Sequence, residues 1–338
     1  MRFDCAGRNR RRYVTDWFKM SVKESNLHLY RFHPRLLHPR HWLTWLGLIV
    51  YFLFTLLPMP VIDWVGFRLG ETAARKNRKR FNIARTNLSL CFPDRTEQQI
   101  DDLVIDHFRA QLRSAMHLFI VWSRPVFVVR ARIIREGFEQ LDHYRRQGKQ
   151  VIVLLTHSVG LDFAVASVSM DYPTNGPYKP MRNTVIDFMF THGRTRFGAR
   201  FGGKLFTRDD GLRPLIRETR AGKVLVYLAD EDLGMEQAVF APFFGVPKAT
   251  IPVLGRMAKA CNAVVLPCVS CYDPKLRKYR VKMFPALADF PSGDDTTDAA
   301  AMNRAIEHTI LECPQQYLWT FRYFQTRPAG QPPVYKSA

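Results

Sequence analysis

The chain has 338 residues, with 50 Lys and Arg against 30 Asp and Glu, a net charge of +20 at pH 7. With 47% hydrophobic, 13% aromatic and 24% charged residues it can fill one large or two small cores, which excludes disordered, low-complexity and collagen-like classes. Six cysteines (Cys5, Cys91, Cys261, Cys268, Cys271, Cys313) are too sparse for a secreted disulfide scaffold and suit a chain kept reduced, its catalytic part facing a cytosol.

In chain order, residues 1–41 form a basic tail with ten Lys and Arg against three acids. Residues 42–62 (WLTWLGLIVYFLFTLLPMPVI) then carry no charge over 21 positions. As one helix they would be roughly 31 Å long, the thickness of a bilayer core. Trp42, Trp45 and Trp64 lie near the two ends, where interfacial aromatics are favoured. The run follows a long basic tail and ends in Pro58-Met59-Pro60 instead of a small-residue cleavage site, so a retained anchor over 42–65 is expected and not a signal peptide. Both flanks are basic, and a re-entrant anchor lying on an anionic leaflet fits the charge as well as a spanning one. Residues 66–119 read as a basic helical connector, whose Arg75, Lys76, Arg78, Lys79, Arg80 and Arg85 suit lipid phosphates, an acidic partner or a solvated face. Within it Thr96-Glu97-Gln98-Gln99 has the form of a capping box, followed at helical spacing by Ile100, Leu103, Val104, Phe108 and Leu112.

From about residue 120 to 330 the period alternates, as in one α/β domain with a mixed central sheet flanked by helices; residues 331–338 form a tail. Strands are predicted at 151–155, 204–206, 224–228, 263–269 and 279–284. Helices are predicted at 137–147, 187–197, 212–220, 252–261 and 298–311. The chemistry sits where the first of these strands ends, in Thr156-His157-Ser158-Val159-Gly160-Leu161-Asp162. A strand-to-helix turn is a favoured active-site position, and the helix N-terminus offers N–H groups to a developing oxyanion. Five steps rotate about 140° on a helix, so only a turn brings His157 and Asp162 together. So paired, Asp162 would fix the imidazole and leave its other nitrogen as a general base. A lone His and Asp at this spacing is more often the pattern of a structural histidine. Ser158 lacks a Gly-x-Ser-x-Gly elbow and reads as a helix cap, not a nucleophile.

His-x4-Asp after an apolar strand resembles block one of the glycerolipid acyltransferase superfamily. The segments 38–47 and Asn87-Leu88-Ser89-Leu90-Cys91-Phe92-Pro93 are similar to the N-terminal part of the late lipid A acyltransferases, the lauroyl and myristoyl transferases of Gram-negative inner membranes. Arg182-Asn183, Arg194-x-Arg196-Phe197-Gly198, Arg208-Asp209-Asp210-Gly211, Asp230-Glu231-Asp232-Leu233-Gly234, Pro242-Phe243-Phe244-Gly245, Lys248-Ala249-Thr250, Pro314-Gln315-Gln316-Tyr317-Leu318-Trp319 and Thr326-Arg327-Pro328 match the same family in order, so the resemblance covers about residues 36–330. It implies a glycerolipid acyltransferase-like fold at the cytoplasmic face of the inner membrane. The implied reaction moves an acyl chain from acyl carrier protein to a hydroxyl on Kdo2-lipid IVA or its partly acylated successor, with His157 and Asp162 catalytic. The sequence has no Walker-type phosphate loop and no dinucleotide fingerprint, so no cofactor is expected.

The acceptor's phosphates and carboxylates suit Arg194 first, then Arg208 and Arg182, with Arg196 a further candidate. Asp230 and Asp232 match the family's acidic block, with a role in holding these arginines or His157; Glu231 departs from the usual Gln or His. The 38–47 block leans to the lauroyl step, while residues 248–261 and the acid of His-x4-Asp lean to the myristoyl step. A metal on Asp230 and Asp232 lacks further ligands, and Cys268-x-x-Cys271 has no second pair for zinc and reads as core thiols. A lysophospholipid or aminolipid acyltransferase of the same superfamily is the nearest alternative. Charge alone also permits a nucleic-acid-binding protein, but the aromatics lie in apolar runs and not among the arginines, so no nucleic-acid partner is expected.

Overall fold

The computed structural model describes residues 32–335, so most of the basic tail lies outside the described residues. Two 3-10 turns, Pro34–Leu37 and Pro39–His41, lead into helices α1 (Trp42–Phe54), α2 (Met59–Lys76), α3 (Arg78–Cys91) and α4 (Glu97–Ser123), followed by the short α5 (Val126–Arg130). The capping box holds: Thr96 Oγ1 accepts from Gln99 N at 3.3 Å and Thr96 N donates to Gln99 Oε1 at 2.8 Å.

The expected spanning anchor is not borne out. α1 has 13 residues, about 20 Å, and among the described residues no helix is long and apolar enough to cross a membrane. Pro58 and Pro60 have no N–H to continue the ladder, so the helix stops and α2 starts afresh with Pro58 as its N-cap. Asp63 also ties α2 to the protein, accepting from Tyr272 Oη at 2.7 and 2.9 Å and lying 3.1 Å from His117 Nε2. One turn apart on α2, Gly66 and Gly70 press against α4 so closely that a Cβ on either would come within 2.5 Å of the Cα of Arg113 or Arg109.

The rest is an α/β fold with a mixed sheet flanked by helices. In chain order it runs β1 (Ile133–Glu136), α6 (Glu139–Arg146), β2 (Gln150–Leu155), α7 (Leu161–Ser169), β3 (Thr174–Tyr178), α8 (Thr184–Thr195), β4 (Lys204–Thr207), α9 (Arg213–Arg220), β5 (Val224–Leu228), β6 (Val239–Phe243), β7 (Val246–Thr250), α10 (Val253–Cys261), β8 (Ala263–Asp273), β9 (Lys278–Met283) and α11 (Asp295–Leu311). Among the described residues the main sheet has seven strands in the order β1-β9-β8-β2-β5-β3-β4, parallel except for β8 against β9, while β6 and β7 form a separate antiparallel hairpin. β2 is central and buried on both faces. Ile152 and Leu154 join the core beneath α4, α10 and α11, and Val151, Val153 and Leu155 join the one beneath α6 and α7.

Sequence periodicity missed β1, β3, β6 and β7. β3 reads Thr-Asn-Gly-Pro-Tyr, a turn composition, yet its Gly176 is required because a Cβ there would meet the Val226 carbonyl oxygen at 2.9 Å. The hairpin turns through Phe244 and Gly245 at φ 49° and 75°, and both of its strands contain proline.

The reading of all cysteines as reduced thiols needs one correction. Cys268 is a buried free thiol, but Cys271 pairs with Cys313 in a disulfide, their Cα atoms 6.1 Å apart. The chain after α11 returns alongside β8, a proximity that sequence spacing does not reveal.

Candidate active site

β2 and β5 are parallel neighbours with Leu155 opposite Leu228. Two residues beyond each partner, at the C-terminal edge of the sheet, stand His157 and Asp230, so the register alone places them side by side about one strand spacing apart. His157 Nδ1 lies 2.6 Å from Asp230 Oδ1, and His157 N donates to Asp230 Oδ2 at 2.7 Å. The histidine partner is therefore Asp230 and not Asp162. Asp162 is on α7, across a turn that points its carboxylate at α8: it accepts from Arg194 Nε at 2.7 Å, Arg194 Nη2 at 3.0 Å and Trp122 Nε1 at 3.3 Å.

The pocket around the imidazole is completed from the far end of the chain. Leu318 N donates to His157 O at 2.9 Å, Val159 N donates to Gln316 O at 2.8 Å, and the Phe321 ring lies 5.3 Å from the His157 ring, centre to centre. Ser158 is buried in a backbone bridge to Tyr317, and the N-cap of α7 is Gly160, so Ser158 is not the expected helix cap.

Asp230 is fully buried. Burial favours its neutral form, but the His157 charge and hydrogen bonds hold the carboxyl below its usual range. At His157 burial opposes the imidazolium, yet the Asp230 charge and hydrogen bond, helped by Glu231, raise it above 6.5, while Arg194 pulls the other way. With Nδ1–H donating to Asp230, Nε2 faces outward with its lone pair, 3.7 Å from Glu231 Oε1.

The remaining predicted residues divide. Arg208 is near the site, its Nη2 2.5 Å from Glu231 Oε2. Arg194 is held by Asp162 and stacked over the Phe190 ring at 4.0 Å, and only its charge is felt at His157. Arg196 is turned away: Nη1 donates to Val121 O at 3.1 Å and Nη2 to Arg124 O at 2.6 Å, so its guanidinium closes the end of α4 instead of binding substrate. Arg182 is exposed beside Asn183, the N-cap of α8, and is not brought to the imidazole. Asp232 accepts from Thr326 N and Thr326 Oγ1, both at 2.7 Å, and from Gly234 N at 3.1 Å, which spends it on the C-terminal segment. Asp230 and Asp232 thus take separate hydrogen-bond partners.

Glu231, Trp122 and Phe321 were not singled out from sequence as site residues, although Glu231 stands within the acidic block that was. An apolar cavity of about 280 Å³ lies beside Glu231 and Arg208, walled by Leu212, Leu215, Tyr227 and Leu233. A larger cavity of about 720 Å³ lies between α3 and the C-terminal segment, bordered by Lys79, Arg85, Arg322 and Tyr335. Its walls do not include the turn that carries His157.

A histidine held by a buried carboxylate at the edge of an α/β sheet, beside a glutamate that also lines an apolar cavity, is an arrangement that can do acid–base chemistry. The family model for the bacterial lipid A biosynthesis acyltransferases matches residues 29–326, and the chain belongs to that family. A lipid A biosynthesis acyltransferase of Haemophilus influenzae is 34% identical over 87% of this chain and 91% of its own. The lipid A biosynthesis lauroyltransferase of Escherichia coli is 34% identical over 90% and 98%, and the myristoyltransferase of the same organism 32% identical over 94% and 98%. The protein is an acyltransferase.

Proposed function

We propose that this enzyme transfers a fatty acyl chain from acyl carrier protein to a hydroxyacyl hydroxyl of Kdo2-lipid IVA or its mono-acylated successor, with a lean to the myristoyl step. The observation that carries this reading is the His157–Asp230 pair with Nε2 outward. Nε2 takes the proton as the acceptor oxygen attacks the thioester carbonyl; the C–O bond forms, the C–S bond breaks, and the imidazolium returns the proton to the departing thiolate. The positive end of α7 and the Asp162-held Arg194 stand where they can stabilise the oxyanion. The apolar cavity beside Glu231 receives the chain, and Arg208 and Arg182 provide positive charge for the acceptor. The lauroyl and myristoyl relatives are nearly equally similar, so the preference for the later step rests on residues 248–261 and on the acid of His-x4-Asp.

The test is mass spectrometry of lipid A precursors incubated with the enzyme and acyl carrier protein thioesters of several lengths. A gain of one acyl mass identifies donor and acceptor. Transfer only to lysophospholipids would move the assignment to that branch of the superfamily.

The membrane attachment that fits this structure is interfacial, on a bacterial inner membrane with the site toward the cytoplasm. No residue of α1 is buried. Leu43, Leu46, Ile49, Val50 and Leu53 are exposed, as are Leu56, Leu57, Val61 and Trp64 just beyond. The basic residues of α2 and α3, from Arg75 to Arg85, suit anionic headgroups or an acidic carrier protein. Replacing Leu46, Ile49 and Leu53 together by Glu is expected to release most of the protein from vesicles containing anionic lipid in a flotation assay, without a change in melting temperature. Retention of the triple variant would rule out this face.

A further inference from the structure

Val159, in the turn between His157 and Asp162, has both of its backbone polar groups bonded to elements outside the turn. Its N–H donates to Gln316 O at 2.8 Å, and its carbonyl accepts from the Ser114 hydroxyl on α4. Ser114 Oγ lies 3.1 Å from Tyr279 Oη on β9, and Tyr279 Oη lies 2.9 Å from Nδ1 of His117, one turn further along α4. A carbonyl can only accept, so these contacts all carry a proton in one order: His117 Nδ1–H donates to Tyr279, Tyr279 to Ser114 and Ser114 to Val159. The far nitrogen of His117, Nε2, makes a close contact of 3.1 Å with Asp63 on α2 and no hydrogen bond. The same carboxylate accepts from Tyr272 Oη of β8, and the Tyr272 backbone clasps the Gln316 side chain: Tyr272 N donates to Oε1 at 2.7 Å and Nε2 donates to Tyr272 O at 2.9 Å. Two routes therefore run from Val159 to Asp63, one from its carbonyl through Ser114, Tyr279 and His117, the other from its N–H through Gln316 and Tyr272. All five of these intermediate side chains are buried. Polar groups so placed are costly unless bonded, and a bonded network of them holds one arrangement. The packing agrees, since a Cβ on Gly160 would meet Ser270 O at 2.7 Å and the Tyr279 ring at 3.1 Å, and that ring stacks on Phe163 of α7 at 3.6 Å, centre to centre.

We propose that Ser114, Tyr279 and His117 are positioning residues for the acyl transfer: they hold the Val159 carbonyl, and with it the turn that carries His157 on one side and Asp162 on the other, in the arrangement the reaction needs. They act through the Val159 backbone and not on the reacting atoms. This rests on the reading of His157 as the base. A misplacement of about 1 Å can cost roughly 10²-fold in rate. A turn that slackens leaves the surfaces that bind donor and acceptor in place, so the loss of one hydroxyl from the network falls on kcat and not on KM.

The experiment uses the full chain and two readouts. Steady-state rates with acyl carrier protein thioester and lipid A precursor separate kcat from KM. Carbethoxylation of His157 by diethyl pyrocarbonate, followed by peptide mass spectrometry, reports the protonation midpoint of the imidazole without requiring turnover, so it remains informative if the assigned acceptor is wrong. Tyr279→Phe keeps the ring on Phe163 and removes one hydroxyl, and Ser114→Ala removes the donor to Val159. Each is expected to lower kcat by roughly 10–10²-fold with KM for both substrates within about twofold of the parent. Each should also move the carbethoxylation midpoint to lower pH, because a slackened turn weakens the Asp230 contact that, against burial, holds the His157 imidazolium up. Ser123→Ala, which removes a hydroxyl that donates to Phe119 O at the end of the same helix, is expected to change neither. An unchanged kcat, an unmoved midpoint in both variants, equal effects in S123A, or failure of both variants to fold would overturn the proposal and make the network structural. Lowered midpoints in variants of an enzyme that acylates no lipid A precursor would keep the positioning role and refute the substrate.

Discussion

His157→Ala is expected to lower acyl transfer by roughly 10²–10⁴-fold or more, because a positioned proton acceptor contributes about that much to a step in which a hydroxyl must become a nucleophile. The measurement is the initial rate of acyl transfer from carrier-protein thioester at saturating donor. The same change removes the imidazole from a fully buried carboxylate, whose remaining partner is the backbone N–H of residue 157. Breaking one side of a buried pair typically costs about 3–5 kcal/mol, so the variant should also melt lower. His157→Gln keeps a donor for Asp230 and separates the two effects: its rate should stay as low while its melting temperature recovers. A variant that keeps most of the activity would remove His157 from the chemistry.

Asp230→Asn should also lose roughly 10²–10⁴-fold in rate, and its pH profile should change in a stated direction. The His157 imidazolium is stabilised above its ordinary 6.5 chiefly by Asp230, against a burial cost that remains in the variant. The acidic limb of kcat/KM in the parent therefore lies above pH 6.5, and in D230N it should move below it. The sign for stability follows from the same pair. A histidine with a raised folded value contributes stability that is complete below 6.5 and is lost as pH rises through that folded value. The Asp230 carboxyl, depressed below 3.8, contributes stability that is present above 3.8 and lost as pH falls through its own folded value. The melting advantage of parent over D230N should thus be largest between those limits. Asp162→Asn is the matched control: if the nearer acid in sequence were the partner, that variant would move the acidic limb, whereas the structure gives it Arg194 to hold.

Much of this protein could be read from residues alone, because the signals were local. The apolar run 151–155, the Gly and Pro punctuation and the capping box at Thr96 each act within a few residues, and the strands and helices they predict are present with small shifts at their ends. His157 was identifiable because it follows a buried strand at a turn, and the ordered motifs downstream carried the family. The failures were equally physical. A 21-residue uncharged run satisfied every length criterion for a span, yet two prolines and the single charge of Asp63 folded it back onto the protein. Arg196 and Asp232 carried the charge expected of site residues, but backbone groups of α4 and of the C-terminal segment had already engaged them.

The pairing at the centre belongs to tertiary structure. His157 and Asp162 are neighbours in the chain; His157 and Asp230 are 73 residues apart and meet because β2 and β5 lie parallel with Leu155 opposite Leu228. Which strands become neighbours depends on how α7, β3, α8, β4 and α9 cross over and pack between them, a non-local choice that leaves no mark on spacing. Composition and local pattern determined that this chain is a basic α/β protein with a histidine at a strand end and an apolar N-terminal helix. The sheet order decided which acid holds the histidine.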